Sequence, residues 1–350
     1  MIFLSVGLPS RFAEWCDGII CALVQSALGP VDLVSANTFE EMALAFMKSR
    51  APQLVIGARQ PTEELRAALS QIGRRFVVAL DDPHAAFQNL VTRHGLEWKA
   101  AIRAAAGSCA SMLRYEAIPG ALMLRADLEG RNPLATTITI ADWLNLEISL
   151  DDIEALLQDR PDPDLVAAQE EFGAWWATIS GSDRALVDGA LNGYVDYFSD
   201  ARMGQLVWAR DMFFIGDDPH AAADRVIDVS GPMRNLLFGP YMTLPSGGWE
   251  ATIVLGVSKA AADLSYSVEI LAGSRCACLA RETIRPNSEG VCEVTIKFTV
   301  SETTDQPIEF RVANLQHAFG GQLALAHVAL SPLVKRRSEL PAEFTMALGW

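Results

Sequence analysis

The spacing of hydrophobic positions along the chain changes once, near residue 206. Before about residue 146, short β-rich runs alternate with stretches whose apolar residues recur every three or four positions. Ile2-Phe3-Leu4-Ser5-Val6 precedes a helix over 13–28, and Val31-Asp32-Leu33-Val34-Ser35 one over 38–50. Gln53-Leu54-Val55-Ile56-Gly57 precedes a helix over 61–73, and Arg75-Phe76-Val77-Val78-Ala79-Leu80 one over 83–94. Such alternation predicts crossover units around a mainly parallel sheet covered by helices. A helix over 96–115, the apolar run Ala121-Leu122-Met123-Leu124 and helices near 133–145 and 150–158 complete a three-layer α/β domain, residues 1–158.

Two prolines in Asp159-Arg160-Pro161-Asp162-Pro163-Asp164 break the pattern. Helices over 164–178, with Trp175-Trp176, and 183–201, with Tyr194, Tyr197 and Phe198 on one stripe, predict a helical bridge over 159–205 that docks against a neighbour. From Leu206 the period becomes 2, in Trp249–Leu255, Ser265–Leu271, Val291–Phe298, Ile308–Val312 and Leu323–Val328. Strands separated by Gly, Pro and Asn turns, without helices, predict an antiparallel, jelly-roll-like β-sandwich over 206–334, followed by a tail over 335–350.

The chain has 350 residues, half of them hydrophobic, and a net charge of −15, which disfavours nucleic acid as a partner because phosphate binding needs a basic face. Residues 147–205 hold 13 acids against 3 bases, a solvated helical face. The acidic pairs Asp162/Asp164 and Asp217-Asp218, beside prolines, read as solvated turns. No apolar run reaches the ~18 residues of a membrane span. The opening residues lack a basic region and a cleavage site, so the expected location is cytoplasmic. The six cysteines, Cys16, Cys21, Cys109, Cys276, Cys278 and Cys292, read as buried thiols, and no clustered histidine suggests a metal.

The first strand runs into a turn and a helix, Ser5-Val6-Gly7-Leu8-Pro9-Ser10-Arg11-Phe12-Ala13-Glu14-Trp15, the place where α/β proteins hold phosphate on free amides. With Leu80-Asp81-Asp82-Pro83-His84-Ala85-Ala86-Phe87-Gln88-Asn89-Leu90, and the stretches Leu122–Leu128 and Ala141–Leu144, it resembles the motif order of P-loop sulfotransferases over residues 1–158. The resemblance implies a donor, 3′-phosphoadenosine 5′-phosphosulfate, held by a loop reading Pro-Lys-Ser-Gly-Thr-Thr-Trp. Pro9 and Trp15 match, but Ser10 replaces Lys, Phe12 replaces Gly, and Ala13 and Glu14 replace hydroxyl residues. In the motif that grips the 3′-phosphate, Asp82 and Pro83 match, while Asp81 and His84 stand for arginines and Asn89 for serine. An acid beside a phosphate turns attraction into repulsion of order ~1 kcal/mol or more per close pair. The resemblance therefore implies an inherited fold without its cofactor. Ser10, Arg11 and Asn89 are the candidates for any surviving donor contact, and His84 for a catalytic base.

Residues Ile227–Glu250 pack glycines, prolines, Tyr241 and Trp249 into a motif between strands, resembling a β-sandwich module that accompanies bacterial polysaccharide-biosynthesis glycosyltransferases. Sugar binding needs flat aromatic faces and planar or charged hydrogen-bonding groups. The candidate ligand residues are Arg234, Asn235, Tyr241, Trp249, Arg311, Gln316 and His317, and loops between strands suit Arg234 and Gln316-His317 best. The expected function is a non-catalytic binding or scaffold protein of bacterial cell-surface polysaccharide biosynthesis, its partner a glycan or a protein of that process. The alternative is a divergent sulfotransferase-like enzyme acting on a carbohydrate acceptor, and a homo-oligomer is compatible with either.

Overall fold

The structure, a computed structural model, describes residues 1–115, 118–159, 165–216, 218–223, 225–273, 276–301 and 306–333. The first part alternates β1 (Ile2–Gly7), α1 (Arg11–Leu28), β2 (Val31–Ser35), α2 (Phe39–Lys48), β3 (Gln53–Ala58), α3 (Glu63–Ile72), β4 (Phe76–Leu80), α4 (Pro83–Thr92), α5 (Trp98–Met112), β5 (Ala121–Arg125), α6 (Pro133–Leu144) and α7 (Leu150–Asp159). Its strands form one sheet, β2-β3-β1-β4-β5, with every neighbouring pair parallel. Successive residues serve opposite faces. Leu4, Val6, Leu54, Ile56 and Val78 join the core under α3, α4 and α5, whereas Phe3, Val55, Val77 and Ala79 join that under α1, α6 and α7. Central strands buried on both faces explain the near-continuous apolar runs.

Two helices follow, α8 (Leu165–Thr178) and α9 (Gly181–Asp200). Then come β6 (Leu206–Ala209), β7 (Phe214–Ile215), β8 (Asp218–Ala222), β9 (Ile227–Asp228), β10 (Asn235–Met242), β11 (Gly247–Val257), a short helix α10 (Lys259–Ala262), β12 (Tyr266–Ala272), β13 (Ala277–Ile284), β14 (Gly290–Val300), β15 (Ile308–Asn314) and β16 (Gln322–Pro332). They make two antiparallel sheets, β13-β12-β15-β10-β7-β8 and β14-β11-β16-β6, with β9 beside β16. Ala251, Ile253, Leu255, Ile296 and Val328 of one sheet share a core with Val268, Ile270, Phe310 and Val312 of the other, the architecture of a β-sandwich.

Two expectations need correction. Asn235–Met242, read as part of a loop motif, is strand β10, paired with β15 and β7 through the cis Gly239–Pro240 bond; glycine and proline had disguised it. Cys276 and Cys278, expected to be buried, are exposed, and only Cys16 and Cys109 are fully enclosed. The segment 160–164 with Asp162 and Asp164, Asp217, the side chain of Asp218 and the tail over 335–350 lie outside the described residues.

The same hydrophobic core continues from α5 through α9 into β6 and β10, where Ile102, Tyr194, Leu206, Trp208 and Met242 are all buried. Two glycines let α9 lie directly on β6. A Cβ built on Gly189 would stand 2.5 Å from the Val207 carbonyl oxygen, and one on Gly193 2.8 Å from that of Gly204. The aromatic stripe on α9 is used here, with the Tyr194 hydroxyl donating to Thr243 O at 3.2 Å and that of Tyr197 to Leu113 O at 3.3 Å. Among the described residues no helix is long and apolar enough to cross a membrane.

Candidate functional site

In an open parallel sheet, ligands bind beyond the carboxyl ends of the strands where the strand order reverses. Here that point is the end of β1 and β4, and a cavity of about 280 Å³ lies there. Arg11, Asp81, Asp82, Gln88, Arg125 and Asp127 supply its polar lining, and Leu80, Pro83, Phe172, Val195 and Phe198 its apolar lining. The last three come from α8 and α9. An aromatic cluster seats α8 on α4 and α5, with Trp175 stacked on Trp98 at 6.1 Å and Trp176 edge-on to His84 at 5.4 Å.

The turn after β1 satisfies its own backbone. Leu8 N donates to Ala79 O at 3.2 Å and Ser10 N to Leu8 O at 2.7 Å. The Ser10 hydroxyl accepts from Ala13 N at 3.3 Å, capping α1, and Glu14 N donates to Ser10 O at 3.1 Å. Leu8, Ser10, Phe12 and Ala13 are fully buried, so hydrophobic core fills the place where a phosphate loop would open.

Each cation here already has an anion. Arg11 Nη2 lies 2.7 Å from Glu171 Oε2, and Arg125 Nε 3.1 Å from Asp127 Oδ1. Asp81 Oδ1 accepts from Asp82 N at 2.8 Å. Burial nevertheless pushes the Asp81 carboxyl up to about 6, against the hydrogen bonds of Asp82 N and Ser10, with the charges of Asp82 and Asp127 adding to the rise. Gln88 is buried and lines the cavity with no side-chain hydrogen bond among the described residues. This chemistry suits a neutral or cationic ligand better than a phosphosulfate.

The other early candidates have structural partners. Asn89 Nδ2 donates to Pro9 O at 3.1 Å and to Glu14 Oε1 at 2.9 Å. His94 Nε2 and Arg93 Nη1 also reach Glu14, at 2.9 and 3.3 Å, which ties the end of α4 to the start of α1. Burial raises the Glu14 carboxyl, but the hydrogen bonds and charges of these partners outweigh it and hold the group below its usual value. His84 does not line the cavity, and its ring nitrogens lie 3.3 Å from Asp82 Oδ1 and 3.0 Å from Asp188 Oδ1. Burial disfavours its cation, yet the two carboxylates raise its pKa.

The seven sandwich candidates divide three ways. Trp249 is buried, its indole N–H donating to Pro245 O at 2.9 Å, and offers no face to a ligand. Arg234 and Gln316 are joined through Asn314 at a loop end. There the Arg234 guanidinium donates to Ser230 O at 2.5 Å and Asp228 O at 2.6 Å, beside an open cavity of about 700 Å³, and Asn314 Oδ1 accepts the Arg234 amide at 2.7 Å. Asn314 Nδ2 donates to Gln316 O at 3.0 Å, His317 lies 5.0 Å from the Phe319 ring, and Asn235 is exposed at the start of β10. Tyr241 and Arg311 belong to the outer face of the six-stranded sheet.

On that face, pairing aligns Phe214, Phe238, Arg311, Glu269 and Arg281 in one row across β7, β10, β15, β12 and β13. Phe214 stacks on Phe238 at 5.5 Å, and Tyr241 lies 6.1 and 6.2 Å from the two rings. Glu309, buried beside them, accepts from Arg311 Nε at 3.0 Å and Nη2 at 2.8 Å. Burial, then the nearby Glu309 carboxylate, raises the Tyr241 hydroxyl. An aromatic wall next to a fixed carboxylate–guanidinium pair can stack a pyranose and hydrogen-bond its hydroxyls. Sequence reasoning missed Phe214, Phe238 and Glu309, although Glu309 and Arg311 stand two apart in a strand pattern and must share a face. It also missed Gln88, Arg125 and Asp127, of which the last two directly follow a predicted strand.

No protein-family model matches the sequence, and no curated protein matches it. Among solved structures, a mouse sulfotransferase, SULT7A1, complexed with PAP is 15% identical with a TM-score of 0.35. The match covers 45% of this chain and 61% of that one, so the chain spans about three fifths of that protein's length. The CBM36-1 domain of a multidomain xylanase from the hindgut metagenome of Trinervitermes trinervoides is 8% identical with a TM-score of 0.26, covering 38% of this chain and 100% of that one. The C-terminal CBM6 of LamC from Zobellia galactanivorans is 10% identical with a TM-score of 0.25, covering 37% and 99%. Part of the chain is thus similar to a sulfotransferase and part to carbohydrate-binding modules.

Proposed function

We propose that this chain is a non-catalytic binding protein of bacterial cell-surface polysaccharide biosynthesis. In this reading the α/β part is a scaffold that no longer takes the sulfonate donor, and the sandwich binds a glycan on the outer face of its six-stranded sheet. The observation that carries it is the closed turn after β1, where the amides of Leu8 and Ser10 donate inward and Phe12 is core. The carboxylates of Asp81, Asp82 and Asp127 at the neighbouring cavity support it, because they repel an anionic donor. The polysaccharide setting rests on the resemblance of the sandwich.

The test is thermal unfolding with 3′-phosphoadenosine 5′-phosphate, for the intact chain and for Arg11→Ala. A ligand at 100 times its dissociation constant adds about 2.7 kcal/mol of stability. No shift is expected. A glycan panel run in parallel is expected to give binding that Tyr241→Ala weakens; no binding on that panel, and no partner recovered from cells, overturns the reading.

A second reading, a divergent sulfotransferase-like enzyme with a carbohydrate acceptor, is favoured by the cavity at the switch point. Arg11 would touch the donor, and the Asp81 carboxyl, titrating at about 6, would accept the acceptor hydroxyl's proton. A thermal shift that Arg11→Ala abolishes restores this reading, and transfer of sulfate to a carbohydrate hydroxyl would establish it.

A further inference from the structure

We infer that the cavity at the carboxyl ends of β1 and β4 binds a small organic cation, an amine with an apolar body, whose ammonium group has the Asp81 carboxylate and the Gln88 amide as its acceptors. This holds whether or not the sandwich binds a glycan, and gives the α/β part a ligand of its own beside its scaffold role. Most polar groups around the cavity are already spent. Asp82 caps α4, its Oδ1 accepting from His84 N at 2.7 Å and lying 3.3 Å from His84 Nδ1. The Arg125 guanidinium is divided between Asp127, at 3.1 and 3.4 Å, and Phe198 O at 2.7 Å, and Arg11 is paired with Glu171.

Two groups are left over. Asp81 accepts from Asp82 N and Ser10 but meets no cation among the described residues. A carboxylate withdrawn from water needs an opposite charge as well as hydrogen bonds, and the nearby charges of Asp82 and Asp127 leave this one wanting a cation all the more. Gln88, one helical turn beyond Ala85 on α4, is only 8% exposed, and its amide has no hydrogen-bond partner among the described residues. That amide is not sealed in the core as Asn89 Oδ1 is; it reaches the cavity that Gln88 lines. A buried amide left without a partner is unfavourable, so a ligand that donates to Gln88 Oε1 gains what the fold leaves unmade.

The rest of the lining selects the kind of cation. Among the described residues no three carboxylate, histidine or cysteine side chains converge as the ligands of a metal ion would. Phe172 and Phe198 contribute aromatic surface, and Leu80, Pro83 and Val195 contribute aliphatic walls. An aromatic ring attracts a cation to its face, and apolar walls take a hydrocarbon body. A volume of about 280 Å³ lies at the low end for ligand pockets, which limits the body to a ring or a short chain. An ammonium group carries three donors and no acceptor, the complement of a carboxylate and an amide oxygen.

Calorimetric titration of the full chain at neutral pH tests this with benzylammonium, benzyl alcohol and benzoate, which share one ring and differ in charge. Benzylammonium is expected to bind, benzyl alcohol about tenfold more weakly and benzoate not at all. Asp81→Asn, which removes a buried charge and keeps the shape, should fold at least as well as the parent, weaken benzylammonium about tenfold or more and leave benzyl alcohol little changed. Gln88→Leu should weaken benzylammonium about threefold or more. Asp151→Asn, at an exposed acid of α7, makes the same change to the net charge and should leave binding as it was. No binding of benzylammonium overturns the inference, as does equal or tighter binding of the alcohol or of benzoate. Binding that survives Asp81→Asn or Gln88→Leu overturns it too, and so does a loss in Asp151→Asn as large as that in Asp81→Asn, which would trace the attraction to the overall charge of the chain.

Discussion

The carboxyl edge of the parallel sheet and the outer face of the six-stranded sheet treat polar groups in opposite ways. At the first, the fold has turned inward: the amides of Leu8 and Ser10 are taken by carbonyls, Arg11 and Arg125 by carboxylates, and Phe12 is core. At the second, Tyr241 is exposed, Phe214 and Phe238 are half open, and the Glu309–Arg311 pair fixes two hydrogen-bonding groups beside them. The first region thus satisfies most of its polar groups within the fold, while the second leaves aromatic rings and a fixed ion pair within reach of solvent.

Four substitutions separate the two regions. Phe12→Ala should cost about 3–5 kcal/mol of stability, the price of a buried cavity, and a loss below about 1 kcal/mol in denaturant unfolding would show that the turn is not core. Asp81→Asn should stabilise. The carboxyl's raised pKa means that the folded chain holds the proton more tightly, so stability falls as pH rises from the ordinary 3.8 to about 6. Above that range the Asn variant should gain on the order of 2–3 kcal/mol over the parent, and below it nothing, readable from thermal midpoints across pH. Tyr241→Ala should move stability by only about 1 kcal/mol or less while weakening glycan binding about tenfold by titration. Arg11→Ala should change stability by about 0.5 kcal/mol or less, because its ion pair with Glu171 is exposed to solvent. A larger loss would mean that Arg11 organises the cavity.

The sequence revealed the fold to the extent that apolar period controls it. The helices on the parallel sheet, and β11, β12, β14, β15 and β16, follow the 3.6 and 2 patterns because each buries one face or stripe. Strand β10 escaped because Gly239 and Pro240 carry turn chemistry while its neighbours β15 and β7 supply the pairing, and β7 and β9, of two residues each, are too short to show a period. Trp249 looked like a sugar platform and is core, since only the partner sheet decides which face of a strand is wet. The cavity was half visible. Asp81 and Arg11 follow predicted strand ends, but Phe172, Val195 and Phe198 come from helices a hundred residues away and arrive only through the packing of α8 and α9.

The glycine pair on α9 has a consequence for how the molecule comes apart. Because Gly189 and Gly193 let β6 rest on the helix backbone, and the core runs unbroken across that seam, Leu206, whose Cδ2 would stand 2.8 Å from a Cβ on Gly193, loses cover when α9 is removed. Unfolding should therefore be a single cooperative event. A sandwich cut free at residue 206 would carry a wet apolar wound where α9 had been, so the two halves have no easy independent life as modules to be exchanged with other proteins.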